Sequence, residues 1–202
     1  MDWSTDFSGK SAFVTGAGGG MGLAAATCLL QADADVTLFD LKEAPDELPK
    51  GARYVQGDVS DNAAVAAAIG AQAEAAGRLD YLINAAGVLW FERDKSAVDM
   101  DLEVWDQVFA INLKSVVHTV RHAVPLMKQT GSGAMVHIST IQCLRGDTQP
   151  QDAYQASKAG MVALSKSVAI QFAADNIRSN VIFPGPTLSP MQQRWYDDPV
   201  KG

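Results

Sequence analysis

Short apolar runs alternate with longer helical segments along most of this chain. The runs end at glycine or at polar residues, which is typical of buried strands. The longer segments are rich in alanine or carry apolar residues at helical spacing. The predicted strands lie within residues 10–16, 35–40, 52–59, 79–87, 133–140 and 177–185, and the predicted helices cover residues 22–34, 62–77, 102–129 and 153–174.

Strands that alternate with helices through short connections predict a doubly wound parallel sheet, a three-layer α/β/α arrangement of the Rossmann type. The apolar runs at 12–14 and 81–83 suit strands that are buried on both faces. Ser60 or Asp61 is placed to cap the second helix. No linker, repeat or composition break divides the sequence, so we expect one domain over residues 1–202.

Composition narrows the functional classes. Of the 202 residues, 48% are hydrophobic, and the net charge of −7 gives no basic surface for nucleic acid. The N-terminal residues 1–10 hold no apolar signal core and no stretch has the length of a membrane span, so we expect a cytoplasmic protein without membrane or nucleic-acid partners. Cys28 and Cys143 form no cluster with metal-ligand spacing, and we expect two buried reduced thiols. His118 and His122 lie four residues apart on a predicted helix, a spacing that suits a metal, but no third ligand is evident, so we expect no metal.

A glycine-rich turn, "VTGAGGGMG" (14–22), follows the first predicted strand and opens the first helix. The N–H groups at a helix N-terminus carry partial positive charge and bind phosphate groups. Asp40 ends the next strand, where a carboxylate accepts hydrogen bonds from both ribose hydroxyls of NAD and repels the 2′-phosphate of NADP. The turn holds no cation and Leu41 follows Asp40, so we predict NAD as the cofactor in preference to NADP.

Tyr154 and Lys158 lie four residues apart in "YQASK", so they share one face of the last predicted helix. A neighbouring ammonium stabilises a phenolate and lowers the pKa of the phenol toward the working pH. Such a tyrosine passes a proton to or from a substrate oxygen. The alternative is an ordinary surface pair, because the spacing alone is common.

These motifs together resemble the short-chain dehydrogenases/reductases in their single-domain form. The resemblance extends from about residue 8 to the end of the chain. The matching segments are "TGAGGGMG" (15–22) for TGxxxGxG, "GDV" (57–59), "NAAG" (84–87) for NNAG, "IN" (111–112), "YQASK" (154–158) for YxASK, and "PGPTLSPM" (184–191) for PGxIxTxM.

The resemblance implies an oxidoreductase that interconverts a secondary alcohol and a ketone on a small molecule, with hydride transfer to or from nicotinamide. Tyr154 would be the general acid/base, Lys158 would hold the nicotinamide ribose, and Asn112 would support a water chain that relays protons. The family usually ends this strand with Ile-Ser-Ser and uses the second serine, a position that Thr140 occupies here. Thr140 is therefore favoured over Ser139 as the hydroxyl that holds the substrate oxygen, and neighbouring strand residues cannot both face the site. The implied cofactor contacts are Gly16, Gly20, Met21, Gly22, Asp40, Leu41, Asp58, Val59, Asn84, Ala85, Gly87, Tyr154, Lys158, Pro184, Gly185, Thr187 and Ser189.

Within the glycine turn, this spacing makes Gly16, Gly20 and Gly22 the positions that require glycine. It leaves Gly18 and Gly19 as the more replaceable pair.

The end of the chain resembles the start of a substrate lid, beginning near residue 187 and holding Met191, Trp195 and Tyr196. Members of the family usually continue through another helix and a seventh strand, so either the natural protein is short or the sequence is truncated. If that part is truly absent, the strand within 177–185 becomes an exposed sheet edge, which favours association. We expect a homo-oligomer, a dimer or a tetramer.

Two other function classes stay open. A non-catalytic NAD-binding sensor or oligomer partner would have the same fold, but it would not need Asn112, Tyr154 and Lys158 together. A methyltransferase built on a similar sheet also uses a glycine-rich first turn and an acid after the second strand. It has no use for the YxxxK motif and is the less favoured of the two.

Overall fold

A computed structural model describes residues 6–187, 189 and 191, and its centre is a six-stranded parallel sheet. All six predicted strands are confirmed. The strands are β1 (Ser11–Thr15), β2 (Asp35–Asp40), β3 (Arg53–Gln56), β4 (Tyr81–Asn84), β5 (Gly133–Ile138) and β6 (Ile177–Ile182). They lie in the order β3-β2-β1-β4-β5-β6, and every neighbouring pair is parallel.

Helices connect the strands as predicted, with two differences. The predicted helix over 102–129 contains a π-helical turn, and a short helix after β5 was not predicted. The helices are α1 (Gly20–Gln31), α2 (Asn62–Ala76), α3 (Leu102–Phe109), α4 (Ser115–Thr130), α5 (Gln142–Arg145) and α6 (Asp152–Gln171), with the π-helical turn Ala110–Lys114 between α3 and α4 and a 3-10 turn at Ala173–Asp175.

Asp61, rather than Ser60, caps α2. Its carboxylate accepts hydrogen bonds from the N–H groups of Ala63 and Ala64. This satisfies two of the free donors that every helix has at its N-terminus.

The two faces of the sheet are covered unequally. On one face, Phe13 and Leu82 pack with α2, α4 and the C-terminal half of α6 in the larger core cluster. On the other face, Val14 and Leu38 pack with Ala26 of α1. The three-layer arrangement is therefore complete over β1 and β2, where α1 packs.

The expectation that residues 81–83 are buried on both faces is wrong. Leu82 is fully buried, but Tyr81 and Ile83 are half-buried. In β6, Arg178 and Asn180 are exposed. The reason is that α1 makes its contacts at β1 and β2, whereas β4–β6 are packed by helices mainly on the opposite face. In the described part of the chain β6 is an edge of the sheet, as expected.

The expectation of two buried thiols is also wrong. Cys28 is exposed and Cys143 is half-buried. Only Gly22 and Ala26 of α1 are fully buried, so the helix turns Cys28 outward. None of the described helices is long and apolar enough to cross a membrane. The described His, Cys, Asp and Glu side chains include no group that could hold a metal ion.

Candidate active site

The sheet order reverses direction between β1 and β4, because the chain builds outward from β1 through β2 and β3 and then returns to β4. In open parallel sheets this reversal leaves a crevice at the carboxyl ends of the strands, where ligands bind. The glycine turn follows β1, and residues 84–87 form the end of β4 and the turn after it, so both border the crevice.

Backbone geometry confirms that three glycines of the turn are needed by position. Gly16 has a φ of +67°, and a Cβ there would lie 2.6 Å from the backbone nitrogen of Ala86. Gly20 has a φ of 52°. A Cβ on Gly22 would overlap the carbonyl oxygen of Gly16. A side chain at Gly16 would push the turn away from the segment that follows β4, one at Gly22 would collide with the turn itself, and one at Gly20 would strain the backbone.

Gly18, expected to be more replaceable than Gly16, Gly20 and Gly22, has contacts of its own, although these are with side chains rather than with backbone. Its N–H donates a hydrogen bond to Oδ2 of Asp40 at 2.9 Å. A Cβ on Gly18 would lie 2.9 Å from Cγ of Asp40 and 3.0 Å from the Tyr54 hydroxyl. Sequence spacing could not reveal this contact, because Asp40 and Tyr54 reach the turn from β2 and β3.

The start of α1 fits a phosphate group. The residue before the helix is Gly19, which has no side chain to cap the helix. The first turn of α1 holds no acidic residue. Met21, in that first turn, is 37% exposed. Because helix N-termini with no acidic or capping side chain favour anions, this turn fits the pyrophosphate of a dinucleotide.

Asp40 stands beside that turn in a fixed orientation. Oδ1 accepts a hydrogen bond from the Lys42 N–H at 3.0 Å, while Oδ2 is held by Gly18. Burial, and then the charge of Asp40, raise the pKa of Tyr54, so the neighbouring phenol stays neutral. Leu41 is 65% exposed. The Asp40 carboxylate is therefore held next to the glycine turn.

Asp58 and Val59 follow β3 at the same edge of the sheet. Oδ1 of Asp58 accepts hydrogen bonds from the N–H and Oγ of Ser60, each at 2.7 Å. Val59 is buried, and its carbonyl oxygen lies 3.1 Å from Nδ1 of His118. Backbone and side chain are thus both held where the resemblance implies the adenine.

The side chain of Asn84 points into the protein rather than into the crevice. Its Oδ1 accepts from the Thr119 hydroxyl at 2.9 Å, and its Nδ2 lies 3.1 Å from Nδ1 of His137. Burial, and then the charge of Lys158, lower the pKa of His137 to about 4, so the imidazole is neutral and its Nδ1 can accept. A cofactor contact at Asn84 would therefore use its backbone. At Ala85 the backbone N–H is already in use, since it donates to the Thr15 carbonyl at 3.3 Å.

Lys158 is buried at the centre of the site. Its Nζ donates to the carbonyl oxygen of Ile138 at 2.8 Å. Burial lowers the pKa of this ammonium to about 8, although the charge of Cys143 acts in the opposite direction. A Cβ on Gly87 would lie 2.9 Å from Nζ, so the glycine leaves the space that the ammonium occupies.

Tyr154 lies one helical turn before Lys158 and is 7% exposed. Burial raises the pKa of this phenol, a hydrogen bond with the Thr140 side chain lowers it, and the charge of Cys143 raises it, with a net increase. The sequence predicted a decrease caused by Lys158. The direction differs because burial is the largest effect on this phenol.

Asn112 lies in the π-helical turn and is fully buried. Its Oδ1 accepts from the N–H of Val88 at 2.8 Å, and its Nδ2 donates to the Val88 carbonyl at 3.0 Å and to Oγ of Ser157 at 3.1 Å. Single π-helical turns occur frequently at functional sites. Here the turn brings Asn112 between the loop after β4 and the first turns of α6.

Ser139 and Thr140 follow β5 and have different partners. Oγ of Ser139 donates to the Lys158 carbonyl at 3.0 Å and lies 3.4 Å from Sγ of Cys143. The Thr140 hydroxyl accepts from the Gln142 N–H at 3.3 Å, and it is also close enough to the Tyr154 phenol to lower the pKa of that phenol. Of the two hydroxyls, Thr140 is thus the one at the phenol.

The segment after β6 is described only in part. The Pro184 carbonyl accepts from the Ile141 N–H at 3.0 Å. The Thr187 hydroxyl donates to the Gly185 carbonyl at 3.1 Å, so this hydroxyl is used within its own turn. Ser189 is half-buried and Met191 is 40% exposed. The lid residues Trp195 and Tyr196 lie outside the described residues.

Sequence reasoning missed two residues that hold this arrangement. Ser157 accepts the hydrogen bond from Asn112 and donates to the Tyr154 carbonyl at 2.8 Å. It lies inside "YQASK", so the motif itself was the signal. Asp94 bonds to the backbone at the start of α6, and nothing in its sequence neighbourhood indicates this.

Comparison with known proteins agrees with the geometry. Residues 10–199 match the family model described as short chain dehydrogenase. The chain is 32% identical to D-beta-hydroxybutyrate dehydrogenase of Rhizobium meliloti, over 95% of this chain and 77% of that protein. It is 34% identical to 2,3-dihydro-2,3-dihydroxybenzoate dehydrogenase of Escherichia coli, over 96% of this chain and 76% of that protein.

Solved structures give the same result. A protein of Burkholderia xenovorans assigned to the short-chain dehydrogenases/reductases superposes with a TM-score of 0.87 at 30% identity, covering 93% of this chain and 75% of that one. Levodione reductase superposes with a TM-score of 0.84 at 29% identity, covering 96% of this chain and 78% of that one. The described fold is therefore that of these oxidoreductases over almost all of the chain.

Proposed function

This chain belongs to the short-chain dehydrogenase family, and on that basis we propose that it interconverts a secondary alcohol and a ketone on a small molecule with NAD as the cofactor. Family membership supports NAD(P)-dependent oxidoreduction as the reaction class. The observation that carries the finer proposal is the cluster of Tyr154, Lys158, Asn112 and Thr140 beside the glycine-lined crevice.

The residues at the crevice fit a dinucleotide. The glycine turn and the start of α1 would hold the pyrophosphate, Asp40 the adenosine ribose, and Lys158 the nicotinamide ribose. Asp58 and Val59 would flank the adenine, and Pro184, Gly185, Thr187 and Ser189 would border the nicotinamide. When bound, the cofactor supplies the carbon that accepts a hydride from the alcohol or returns one to the ketone.

Proton transfer is assigned to Tyr154. Its phenol would take the alcohol proton during oxidation and give it back during reduction. Thr140, which bonds to that phenol, would donate to the substrate oxygen and hold it. Because burial raises the pKa of the phenol, the phenolate needs a nearby positive charge, and the Lys158 ammonium on the same face of α6 is the group that can provide it.

The preference for NAD over NADP rests on Asp40. Both of its oxygens accept backbone hydrogen bonds, so the carboxylate is held facing the turn and cannot rotate away without losing them. A 2′-phosphate would meet this negative charge at close range. Leu41 supplies no compensating cation.

We also propose one domain whose substrate lid begins near Thr187, in a cytoplasmic homo-oligomer. Family membership supports association, because short-chain dehydrogenases are often oligomeric, and we propose a dimer or a tetramer.

The test is a steady-state assay of the purified protein with NAD or NADP and a panel of secondary alcohols. We expect reduced nicotinamide to accumulate with at least one alcohol, and faster with NAD. Tight NAD binding without turnover on any substrate would refute the catalytic proposal and favour a non-catalytic NAD-binding protein of the same fold.

A further inference from the structure

Helix α6, which carries Tyr154 and Lys158, has no cap of its own. The residue before the helix, Gln151, makes no side-chain hydrogen bond to the helix backbone. A capping side chain normally accepts from the N–H groups of the second and third helical residues. In α6 these residues are Ala153 and Tyr154.

Asp94, 60 residues before Tyr154, supplies this cap from another part of the chain. Oδ1 accepts from the N–H of Ala153 at 3.1 Å, and Oδ2 accepts from the N–H of Tyr154 at 2.8 Å. The carboxylate is 0% exposed, and no ion pair among the described residues includes it. The N–H groups and partial positive charge of the helix N-terminus therefore stabilise this carboxylate, while the nearby charge of Asp152 opposes them.

The loop that carries Asp94 is held by hydrogen bonds on both sides of that residue. Val88, at its start, is bonded in both directions to the Asn112 side chain. Further along, the Ala97 N–H donates to Oδ2 of Asp152 at 2.7 Å, and the Asp152 N–H donates to the Lys95 carbonyl at 3.3 Å. The loop thus connects the π-helical turn to the first turn of α6.

We propose that Asp94 is a positioning residue for catalysis, which sets where α6 begins and thereby holds the Tyr154 phenol against Thr140; the catalytic part of this inference rests on the proposed function. The bond at Tyr154 itself is direct, because Asp94 holds the backbone of the residue whose side chain transfers the proton. The Asp94 carboxylate is buried, so water does not compete for its hydrogen bonds to the helix, and these bonds define where α6 begins.

The experiment compares Asp94→Ala and Asp94→Asn with Asp61→Ala, which removes an equivalent cap from α2, a helix without site residues. All variants are assayed at a temperature at which each is folded by circular dichroism. We expect Asp94→Ala to lower kcat about 10- to 100-fold, since a displacement of about 1 Å at a reacting group has effects of this size. KM and the dissociation constant of NAD should change less than about threefold, because the loss lies in orientation.

Asparagine keeps one acceptor oxygen, so Asp94→Asn should recover part of kcat, and Asp61→Ala should leave it unchanged. A second readout does not depend on turnover: amide hydrogen exchange in the peptide 152–158 should be faster in Asp94→Ala, with no change in α2. An unchanged kcat in Asp94→Ala, or a loss no larger than that of Asp61→Ala, overturns the catalytic inference. Unchanged exchange at 152–158 overturns the positioning role itself.

The two proposals fail in different ways. A wild-type protein that turns over no substrate refutes the proposed function, and the exchange measurement still decides whether Asp94 fixes the start of α6. An active wild-type protein with a fully active Asp94→Ala variant refutes the inference on Asp94 alone.

Discussion

The space around the Lys158 ammonium depends on a missing side chain at Gly87. A Cβ at this position would lie 2.9 Å from Nζ of Lys158 and 3.2 Å from Oδ1 of Asn112. Gly87 is not among the glycines with positive φ, so alanine meets no backbone strain there. The substitution Gly87→Ala therefore tests the packing of the proposed catalytic groups without changing the backbone conformation.

We expect Gly87→Ala to move the ammonium away from the Ile138 carbonyl, to which it now donates at 2.8 Å. Forcing one methyl group into a packed interior costs about 1–3 kcal/mol. Restoring an ordinary contact of 3.4 Å from the present 2.9 Å requires Nζ to move by about 0.5 Å, which should lower kcat by roughly 10-fold. The free energy of unfolding is measured by urea titration and kcat with the best alcohol of the panel.

Gly70→Ala is the matched control. Gly70 lies inside α2, and a Cβ there would meet nothing within 4 Å. Replacing a glycine by alanine within a helix stabilises it by about 1 kcal/mol. Gly70→Ala should thus raise the stability and leave kcat unchanged. A Gly87→Ala variant with wild-type kcat would refute the inference that the position of the Lys158 ammonium depends on the space left by Gly87.

Three further predictions follow from individual contacts. Asp40→Ala should lower the ratio of kcat/KM for NAD to that for NADP by at least about tenfold, since one lost charge interaction of about 1.4 kcal/mol has this effect; an unchanged ratio would show that Asp40 does not select the cofactor. Thr140→Val should lower kcat far more than Ser139→Ala, because the Ser139 hydroxyl is bonded to the Lys158 carbonyl. Thr140→Ser keeps the hydroxyl and should keep most of kcat. The reverse order would assign the substrate oxygen to Ser139. Burial raises the pKa of Asp80, but hydrogen bonds from Arg78 and the Ser11 N–H leave that pKa below its usual range. The stabilisation is then present above the unfolded pKa of about 3.9 and is lost as pH falls below it, so urea titrations of Asp80→Asn should show a flatter loss of stability from about pH 5 to 3 than the wild type.

The sheet was predictable from the sequence because most of its strands are short apolar runs next to helical segments, although no helix separates β2 from β3. All six strands lie within their predicted ranges. The π-helical turn was not predictable, since one extra residue in a turn leaves the apolar spacing of the flanking helices almost unchanged. The half-exposed Tyr81 and Ile83 were also missed, because burial of a strand depends on which helices reach it.

The site was predictable where its residues form local motifs and not where they meet through the fold. The glycine turn and the Tyr154–Lys158 pair are each readable within a few positions. Gly18 beside Asp40 and Asp94 beside Tyr154 depend on contacts between distant segments, so spacing gave no signal for them. The raised pKa of Tyr154 likewise follows from burial, which the sequence alone does not give.

The central claim, that Tyr154 transfers the proton while NAD exchanges the hydride, has one direct test. The protein is incubated with NAD and a secondary alcohol that carries deuterium on its carbinol carbon, and the reduced cofactor is analysed by mass spectrometry. We expect deuterium in the cofactor with the wild type, and a rate at least about 100-fold lower with Tyr154→Phe at unchanged NAD affinity. Equal transfer in both proteins, or no transfer in the wild type with NAD bound, would contradict the account.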